Sequence, residues 1–129
     1  MKILIVDDQA IHRDLLTTIL DKWPQLEVST AGSGFEALTQ LKATGHQFDL
    51  VFLDVSMPGC SGLDVLEKLQ DSPLHRTLQF VMCTSATDRP TVTRALELGA
   101  KHYLLKPVTE AAITQKLRQI GAIQDRQAN

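Results

Sequence analysis

The sequence lacks the features typical of secreted, membrane and zinc-binding proteins. Its two cysteines, Cys60 and Cys83, have neither the number nor the spacing of a disulfide framework or zinc site, so we expect reduced thiols and a cytoplasmic protein. No apolar run approaches the length of a membrane span, and the first apolar stretch, Ile3–Val6, is too short for a signal peptide. The four histidines stand singly, without metal-ligand spacing.

The chain also has no excess of charge. A formal net charge of −2 gives no electrostatic reason to expect nucleic acid or an anionic membrane as a partner. The 129 residues, 43% of them hydrophobic, suffice for one domain with its own core. No linker, repeat or low-complexity segment interrupts them. We therefore predict one domain over residues 1–121 and a polar tail over residues 122–129.

Five short apolar stretches alternate with five segments of helical periodicity. The predicted strands are Lys2–Val6, Leu26–Ala31, Leu50–Leu53, Leu78–Cys83 and His102–Leu105. The unbroken apolar run Leu50–Leu53 is typical of a strand buried on both faces, whereas Leu26–Ala31 alternates and suits a sheet edge. Short connections between alternating strands and helices predict an α/β fold, an open parallel sheet with helices on both faces.

Helical periodicity predicts which apolar residues face the core. In chain order, the expected inward residues are Ile11, Leu15, Leu16, Ile19 and Leu20; Phe35, Leu38 and Leu41; Leu63, Leu66 and Leu69; Val92, Ala95 and Leu96; and Ile113, Leu117 and Ile120. Ser33 with Glu36 predicts a capping box that opens the second helix, which we expect to end near Thr44 and Gly45. The third helix is expected over Gly62–Gln70.

Polar side chains follow four of the five predicted strands. They are Asp7 and Asp8 after the first strand, Asp54 after the third, Thr84 and Ser85 after the fourth, and Lys106 after the fifth. The carboxyl ends of parallel strands share one edge of the sheet, so these groups converge there. In the flavodoxin-like strand order 2-1-3-4-5, the first and third strands are neighbours and the three carboxylates meet in one crevice.

The combination of groups at this edge indicates phosphoryl chemistry. Three neighbouring carboxylates repel one another and require a cation, and a site of oxygen ligands favours Mg²⁺. Lys106 adds a second positive charge, and a serine or threonine hydroxyl adds a hydrogen-bond donor. A carboxylate nucleophile with these partners can form an aspartyl phosphate. Taken alone, Asp54 could equally be a loop carboxylate that caps the next helix.

The motifs at the strand ends resemble those of the receiver domain of two-component response regulators. They are Asp7-Asp8, Asp54-x-x-Met57-Pro58, Ser85-Ala86 and Lys106-Pro107, in order along the chain. The resemblance extends from about Lys2 to Ile120 and implies a CheY-like, flavodoxin-like three-layer sandwich with five strands and five helices. It also implies a signalling switch that phosphorylates and dephosphorylates itself and is not a metabolic enzyme.

The resemblance implies a phosphorylation and metal site. Asp54 would accept the phosphoryl group from the phosphohistidine of a sensor histidine kinase or phosphotransfer protein. Asp7 and Asp8 would hold Mg²⁺ together with Asp54 and the backbone carbonyl of Ser56. These assignments make Asp54 the residue that the rest of the site serves.

Further roles follow from the same resemblance. Lys106 would pair with the phosphate or, before phosphorylation, with Asp54. Ser85 would donate a hydrogen bond to a phosphoryl oxygen, with Thr84 as the alternative, and Ala86 would leave space for the phosphodonor. The bond between Lys106 and Pro107 would be cis.

Tyr103 would be the switch aromatic, turning inward when Ser85 moves toward the phosphate; the alternative is an aromatic packed on the edge strand. A downstream protein would dock on the surface formed by the fourth helix, fifth strand and fifth helix.

We expect a monomer or a weak phosphorylation-dependent dimer without the salt-bridged contact of winged-helix regulators, since Ala100-Lys101-His102 lacks their acidic pair. Because Met1 directly precedes the first strand, a stand-alone receiver is favoured over a fragment of a longer regulator.

Three other functions fit these residues less well. A haloacid-dehalogenase-type phosphohydrolase would carry Asp-x-Asp after the first strand, where this chain has Asp7-Asp8-Gln9. A flavodoxin-like cofactor binder would need a phosphate-binding loop there, and the two acids would repel phosphate. An unphosphorylated adaptor receiver would not need the complete acidic set and Lys106. Cys60, after the Asp54 loop, is either an inert thiol or an exposed, redox-sensitive one.

Overall fold

Strands and helices alternate along the computed structural model, which describes residues 1–43, 48–73, 77–85 and 89–124. The strands are β1 (Lys2–Val6), β2 (Glu27–Ala31), β3 (Leu50–Asp54), β4 (Gln79–Thr84) and β5 (His102–Leu105). The helices are α1 (Ala10–Leu20), α2 (Gly34–Lys42), α3 (Gly62–Lys68), α4 (Arg89–Glu97) and α5 (Glu110–Ile120). The predicted alternation is confirmed, with α3 ending at Lys68 and not at Gln70. Thr44, Gly45 and residues 125–129 lie outside the described residues.

All neighbouring strands are parallel, in the order β2-β1-β3-β4-β5. The predicted strand order is therefore confirmed, and β2 lies at an edge as its alternation indicated. Backbone hydrogen bonds continue the ladders beyond the strand ends: Asp7 N donates to Ala31 O at 3.1 Å, and Lys106 N donates to Thr84 O at 2.8 Å. These bonds fix the residues after β1 and β5 to the carboxyl edge of the sheet.

The sheet separates two apolar cores, which makes the fold a three-layer sandwich. Helices α2, α3 and α4 pack on one face, and α1 and α5 pack on the other. Strand β3 contributes to both faces, since Val51 and Leu53 point into the first core while Leu50 and Phe52 point into the second. All five β3 residues are buried, so the prediction of a strand covered on both faces is confirmed.

The predicted inward face of α1 is partly wrong. Leu16, Ile19 and Leu20 are buried, but Ile11 is 74% exposed and Leu15 is 41% exposed. Residues four apart are rotated by about 40° from one another around a helix of 3.6 residues per turn. Ile11, Leu15 and Ile19 are spaced in this way, so they cannot all point to the same buried face. The core therefore receives the C-terminal half of α1, while its first turn lies beside the carboxyl edge of the sheet.

Two other residues expected to be inward are exposed, Phe35 by 59% and Leu96 by 52%. Phe35 is the second residue of α2, where its ring lies against the position of Gly59 and covers the turn after β3. On α4 the buried position belongs to Ala95. The predicted cap is present: the Ser33 side chain accepts a hydrogen bond from Glu36 N, although the Glu36 carboxylate accepts from Gly32 N instead of closing the box.

Most other predicted inward residues do contact the cores. Leu38, Leu41, Leu66, Leu69, Ala95, Ile113 and Leu117 are buried, and Leu63 and Ile120 are partly buried against them. No helix in the described ranges is both long enough and apolar enough to cross a membrane.

Phe52 and Phe35 differ in burial, and this difference predicts their contributions to stability. Phe52→Ala should lower the free energy of unfolding by about 3–5 kcal/mol, because it leaves a cavity between the sheet and α1. Phe35→Ala should lower it by less than about 1 kcal/mol, because that ring is mostly in solvent. Urea denaturation followed by circular dichroism measures both; equal losses in the two variants would contradict the assigned burial.

Candidate functional site

Three carboxylates lie together at the carboxyl edge of the sheet, as the sequence predicted. Asp7 and Asp54 are only 2% and 4% exposed, while Asp8 is exposed. One oxygen from each of the three lies within 4.8 Å of the others. This spacing and the all-oxygen donor set fit a hard divalent cation.

Lys106 is the cation that contacts the two buried acids. Its Nζ lies 3.1 Å from Asp54 Oδ1 and 3.1 Å from Asp7 Oδ2. The lysine comes directly after β5, and the bond between Lys106 and Pro107 is cis, as the resemblance implied. The side chain is only 16% exposed, so it spans the carboxyl edge beneath the surface.

Burial and charge act in opposite directions on these groups. Burial raises the pKa of Asp54, and the nearby Asp7 carboxylate raises it further, while the contact with Lys106 opposes both. Burial lowers the pKa of Lys106, but its contacts with Asp54 and Asp7 outweigh burial and raise it overall. The lysine therefore remains charged at neutral pH. One ammonium against three carboxylates leaves the site with excess negative charge, which favours binding of a further cation.

The turn after β3 is packed tightly around Asp54. Ser56 N lies 3.3 Å from Asp54 Oδ1, and Gly62 N donates to Val55 O at 2.9 Å. A Cβ atom at Gly62 would overlap the carbonyl oxygen of Asp54, so α3 can begin here only with glycine. The start of α3 and the backbone of Asp54 are therefore fixed against each other.

Cys60 lies in the same turn and is buried, at 1% exposure. A Cβ atom at Gly34, the first residue of α2, would collide with the backbone and side chain of Cys60. Burial raises the pKa of the Cys60 thiol and raises that of Cys83 to about 12. Of the two alternatives for Cys60, the exposed and redox-sensitive one is wrong, and the inert thiol fits.

The two candidate hydroxyls differ in position. Thr84 is the last residue of β4 and is 4% exposed, whereas Ser85 follows it and is exposed. Tyr103 is 48% exposed on β5, opposite Met82, and borders a shallow pocket between β5 and α4. Ala86 lies outside the described residues, and the Ser56 carbonyl remains a prediction as a metal ligand.

Two further residues lie at the site, and no sequence motif indicated either of them. His12 Nδ1 lies 3.4 Å from both Asp7 Oδ2 and Lys106 Nζ. Arg13 Nη1 donates a hydrogen bond to the carbonyl oxygen of Asp7 at 2.8 Å. Both residues lie in the first turns of α1. They lie over Asp7 because that helix begins at Ala10.

Comparisons with known proteins agree with this geometry. The family model for the response regulator receiver domain matches residues 3–118. Chemotaxis protein CheY-3 of Vibrio cholerae is 33% identical over 120 residues, which span 93% of this chain and 91% of that protein. This relative is similar in sequence over nearly its whole length.

Longer proteins also contain a similar segment. The cyclic di-GMP phosphodiesterase response regulator RpfG of Xanthomonas campestris is 36% identical over 109 residues, or 84% of this chain and 28% of that protein. A protein-glutamate methylesterase/protein-glutamine glutaminase of Burkholderia pseudomallei is 42% identical over 110 residues, or 83% of this chain and 29% of that protein. The chain thus spans less than a third of the length of these two relatives.

A similar solved structure is the CheX-CheY-BeF3-Mg+2 complex from Borrelia burgdorferi, with a TM-score of 0.84 and 26% identity. The match covers 96% of this chain and 90% of that one. The fold, the strand-end residues and the family match agree, and neither a phosphohydrolase nor a flavodoxin-like cofactor binder accounts for all three. This chain belongs to the response regulator receiver domain family.

Proposed function

We propose that this receiver is a phosphoacceptor switch in which Asp54 accepts a phosphoryl group from the phosphohistidine of a sensor histidine kinase or phosphotransfer protein. The observation that supports this most directly is the position of Asp54: a buried carboxylate at the end of the central strand, 3.1 Å from a lysine and grouped with two further acids. A residue that only capped a helix would not need this surrounding charge.

The contacts on Asp54 suggest how the carboxylate is oriented. Both Lys106 Nζ and Ser56 N lie near Oδ1, so we infer that the other oxygen attacks phosphorus. The new O–P bond forms as the P–N bond of the phosphohistidine breaks, and the electron pair of that bond stays on the histidine nitrogen. Lys106 can then move its hydrogen bond from the carboxylate to a phosphoryl oxygen, where it stabilises the added negative charge.

The acidic cluster fits Mg²⁺ through Asp7, Asp8 and Asp54, with the backbone carbonyl of Ser56 as a further ligand. When bound, the ion would supply positive charge to the phosphoryl oxygens and orient them. Asp7 and Asp54 are held in place by their own contacts, since Asp7 Oδ1 accepts a hydrogen bond from Gln9 N at 2.9 Å. The exposed Asp8 leaves the site open to solvent, from which a cation and its waters can enter.

Ser85, in preference to Thr84, is the hydroxyl that we propose as the donor to the phosphoryl group. Its side chain is exposed just beyond the strand end, whereas Thr84 is buried within β4. Movement of Ser85 toward the phosphate would draw the end of β4 with it and open space for the Tyr103 ring. The signal would then pass from a local charge change to a surface aromatic.

The output surface in this proposal is formed by α4, β5 and α5. Leu96, Tyr103 and Leu105 are 52%, 48% and 52% exposed there, which places three large apolar side chains in solvent. Such an apolar surface suits a downstream protein better than nucleic acid. We further propose residues 1–121 as the receiver, acting in the cytoplasm as a monomer or weak phosphorylation-dependent dimer. The polar tail begins later than residue 122, because Ala122 and Ile123 pack against the core on the side of α1 and α5.

Phosphorylation should require both Asp54 and Mg²⁺. Incubation of the wild type with acetyl phosphate and Mg²⁺ should add one phosphoryl group by intact-protein mass spectrometry, and Asp54→Asn or removal of Mg²⁺ by EDTA should abolish the addition. Asp49→Asn is the matched control, because Asp49 is an exposed acid at the opposite end of β3. Addition that persists in Asp54→Asn would contradict the site, and no addition to the wild type would favour the adaptor alternative.

Tyr103 should couple the site to the output surface. With beryllofluoride and Mg²⁺ as the phosphoryl mimic, amide resonances of Leu96 and Leu105 should shift in the wild type, and Tyr103→Ala should reduce those shifts by about half or more. The shifts of Val55 and Ser56, beside Asp54, should be retained. Equal shifts at Leu96 and Leu105 in both proteins would show that Tyr103 only packs on β5.

A further inference from the structure

His12 contacts the charged centre of the site, and the phosphotransfer proposed above gives it no role. Its Nδ1 atom lies 3.4 Å from Lys106 Nζ and 3.4 Å from Asp7 Oδ2. The ring is partly buried, with 33% of the side chain exposed. It forms part of a cleft, about 60 Å³ in volume, in which Leu15, Pro107 and Val108 provide apolar walls.

The number of acceptors around Lys106 explains what His12 can contribute. An ammonium group has three N–H donors and no acceptor. Among the described residues, Asp54 Oδ1 and Asp7 Oδ2 lie 3.1 Å from Nζ, and His12 Nδ1 is the third atom that can accept a hydrogen bond. This contact requires the ring proton to be on Nε2; a proton on Nδ1 would be directed at Asp7 Oδ2, also 3.4 Å away, and would remove the acceptor.

The first turns of α1 hold His12 in this position. Arg13 Nη1 donates to the carbonyl oxygen of Asp7 at 2.8 Å, and Gln9 N donates to Asp7 Oδ1 at 2.9 Å. Two hydrogen bonds therefore join the beginning of α1 to Asp7, the residue that both His12 and Lys106 contact. A side chain on a helix fixed in this way is better placed to position a neighbour than one on a free loop.

We propose that His12 is a positioning residue for Lys106. Its Nδ1 accepts the third hydrogen bond of the ammonium and, together with Asp7, keeps Nζ at the site when the phosphoryl group draws it away from Asp54. The role in phosphotransfer rests on the proposed function, whereas the contact with Lys106 does not. Leaving the third N–H without an acceptor in a partly buried site would let the lysine sample other positions.

The contact can be tested without phosphorylation. Asparagine places an amide oxygen at the position of Nδ1, so His12→Asn retains the acceptor and His12→Ala removes it. Hydrogen exchange of the Lys106 ammonium, followed by ¹⁵N NMR, should become about threefold faster in His12→Ala, the effect of losing a weak hydrogen bond. His12→Asn should be close to the wild type. The control His102→Ala, at the opposite end of β5 from Lys106, should not change the rate.

A second measurement tests the role in phosphotransfer. With acetyl phosphate and Mg²⁺, His12→Ala should lower the maximal rate of phosphorylation about threefold, leave the half-saturating acetyl phosphate concentration unchanged, and be rescued by His12→Asn. An unchanged exchange rate of the Lys106 ammonium in His12→Ala would overturn the proposal. Exchange in His12→Asn that is as fast as in His12→Ala would also overturn it. If the wild type is not phosphorylated at all, the proposed function fails while the exchange measurement still decides the position of Lys106.

Discussion

The contact of the Lys106 ammonium with two buried carboxylates is the interaction on which the functional edge depends. Asp7 and Asp54 come from neighbouring strands and are almost completely buried, and buried acids without a positive partner would be strongly destabilising. Lys106 follows β5, which is separated from β3 by β4. Since neighbouring strands are about 4.8 Å apart, the backbones of Lys106 and Asp54 are separated by roughly 10 Å, and a long side chain on Lys106 is needed to reach across the end of β4 to the carboxylate.

The backbone around Asp54 is as constrained as the charges. Helix α3 begins at a glycine because any Cβ atom there would overlap the Asp54 carbonyl, and α2 begins at a glycine that packs against Cys60. The turn between β3 and α3 is therefore held from two sides, whereas Asp8, Ser85 and Tyr103 are exposed. A rigid carboxylate together with exposed side chains suits the proposed switch, in which a local charge change must alter a surface.

The convergence of Asp7, Asp54 and Lys106 could be predicted because parallel topology alone brings the carboxyl ends of the strands to one edge. This prediction required no knowledge of how the helices are oriented. Helix faces were less predictable. Ile11 and Phe35 lie in first turns beside the carboxyl edge, where the sheet no longer covers the helix, and apolar periodicity does not show where that cover ends. The role of His12 could not be predicted for a related reason: it depends on α1 beginning at Ala10 and on two hydrogen bonds to Asp7.

Lys106 partly neutralises the same carboxylates that we propose as Mg²⁺ ligands. The most direct test is the Mg²⁺ dissociation constant of Lys106→Met, measured by NMR titration of the amides beside Asp54, with Lys101→Met, an exposed lysine before β5, as the control. Removal of one positive charge close to the ion should tighten Mg²⁺ binding roughly tenfold in Lys106→Met, while Lys101→Met should match the wild type. Unchanged or weaker binding in Lys106→Met would contradict this account of the site.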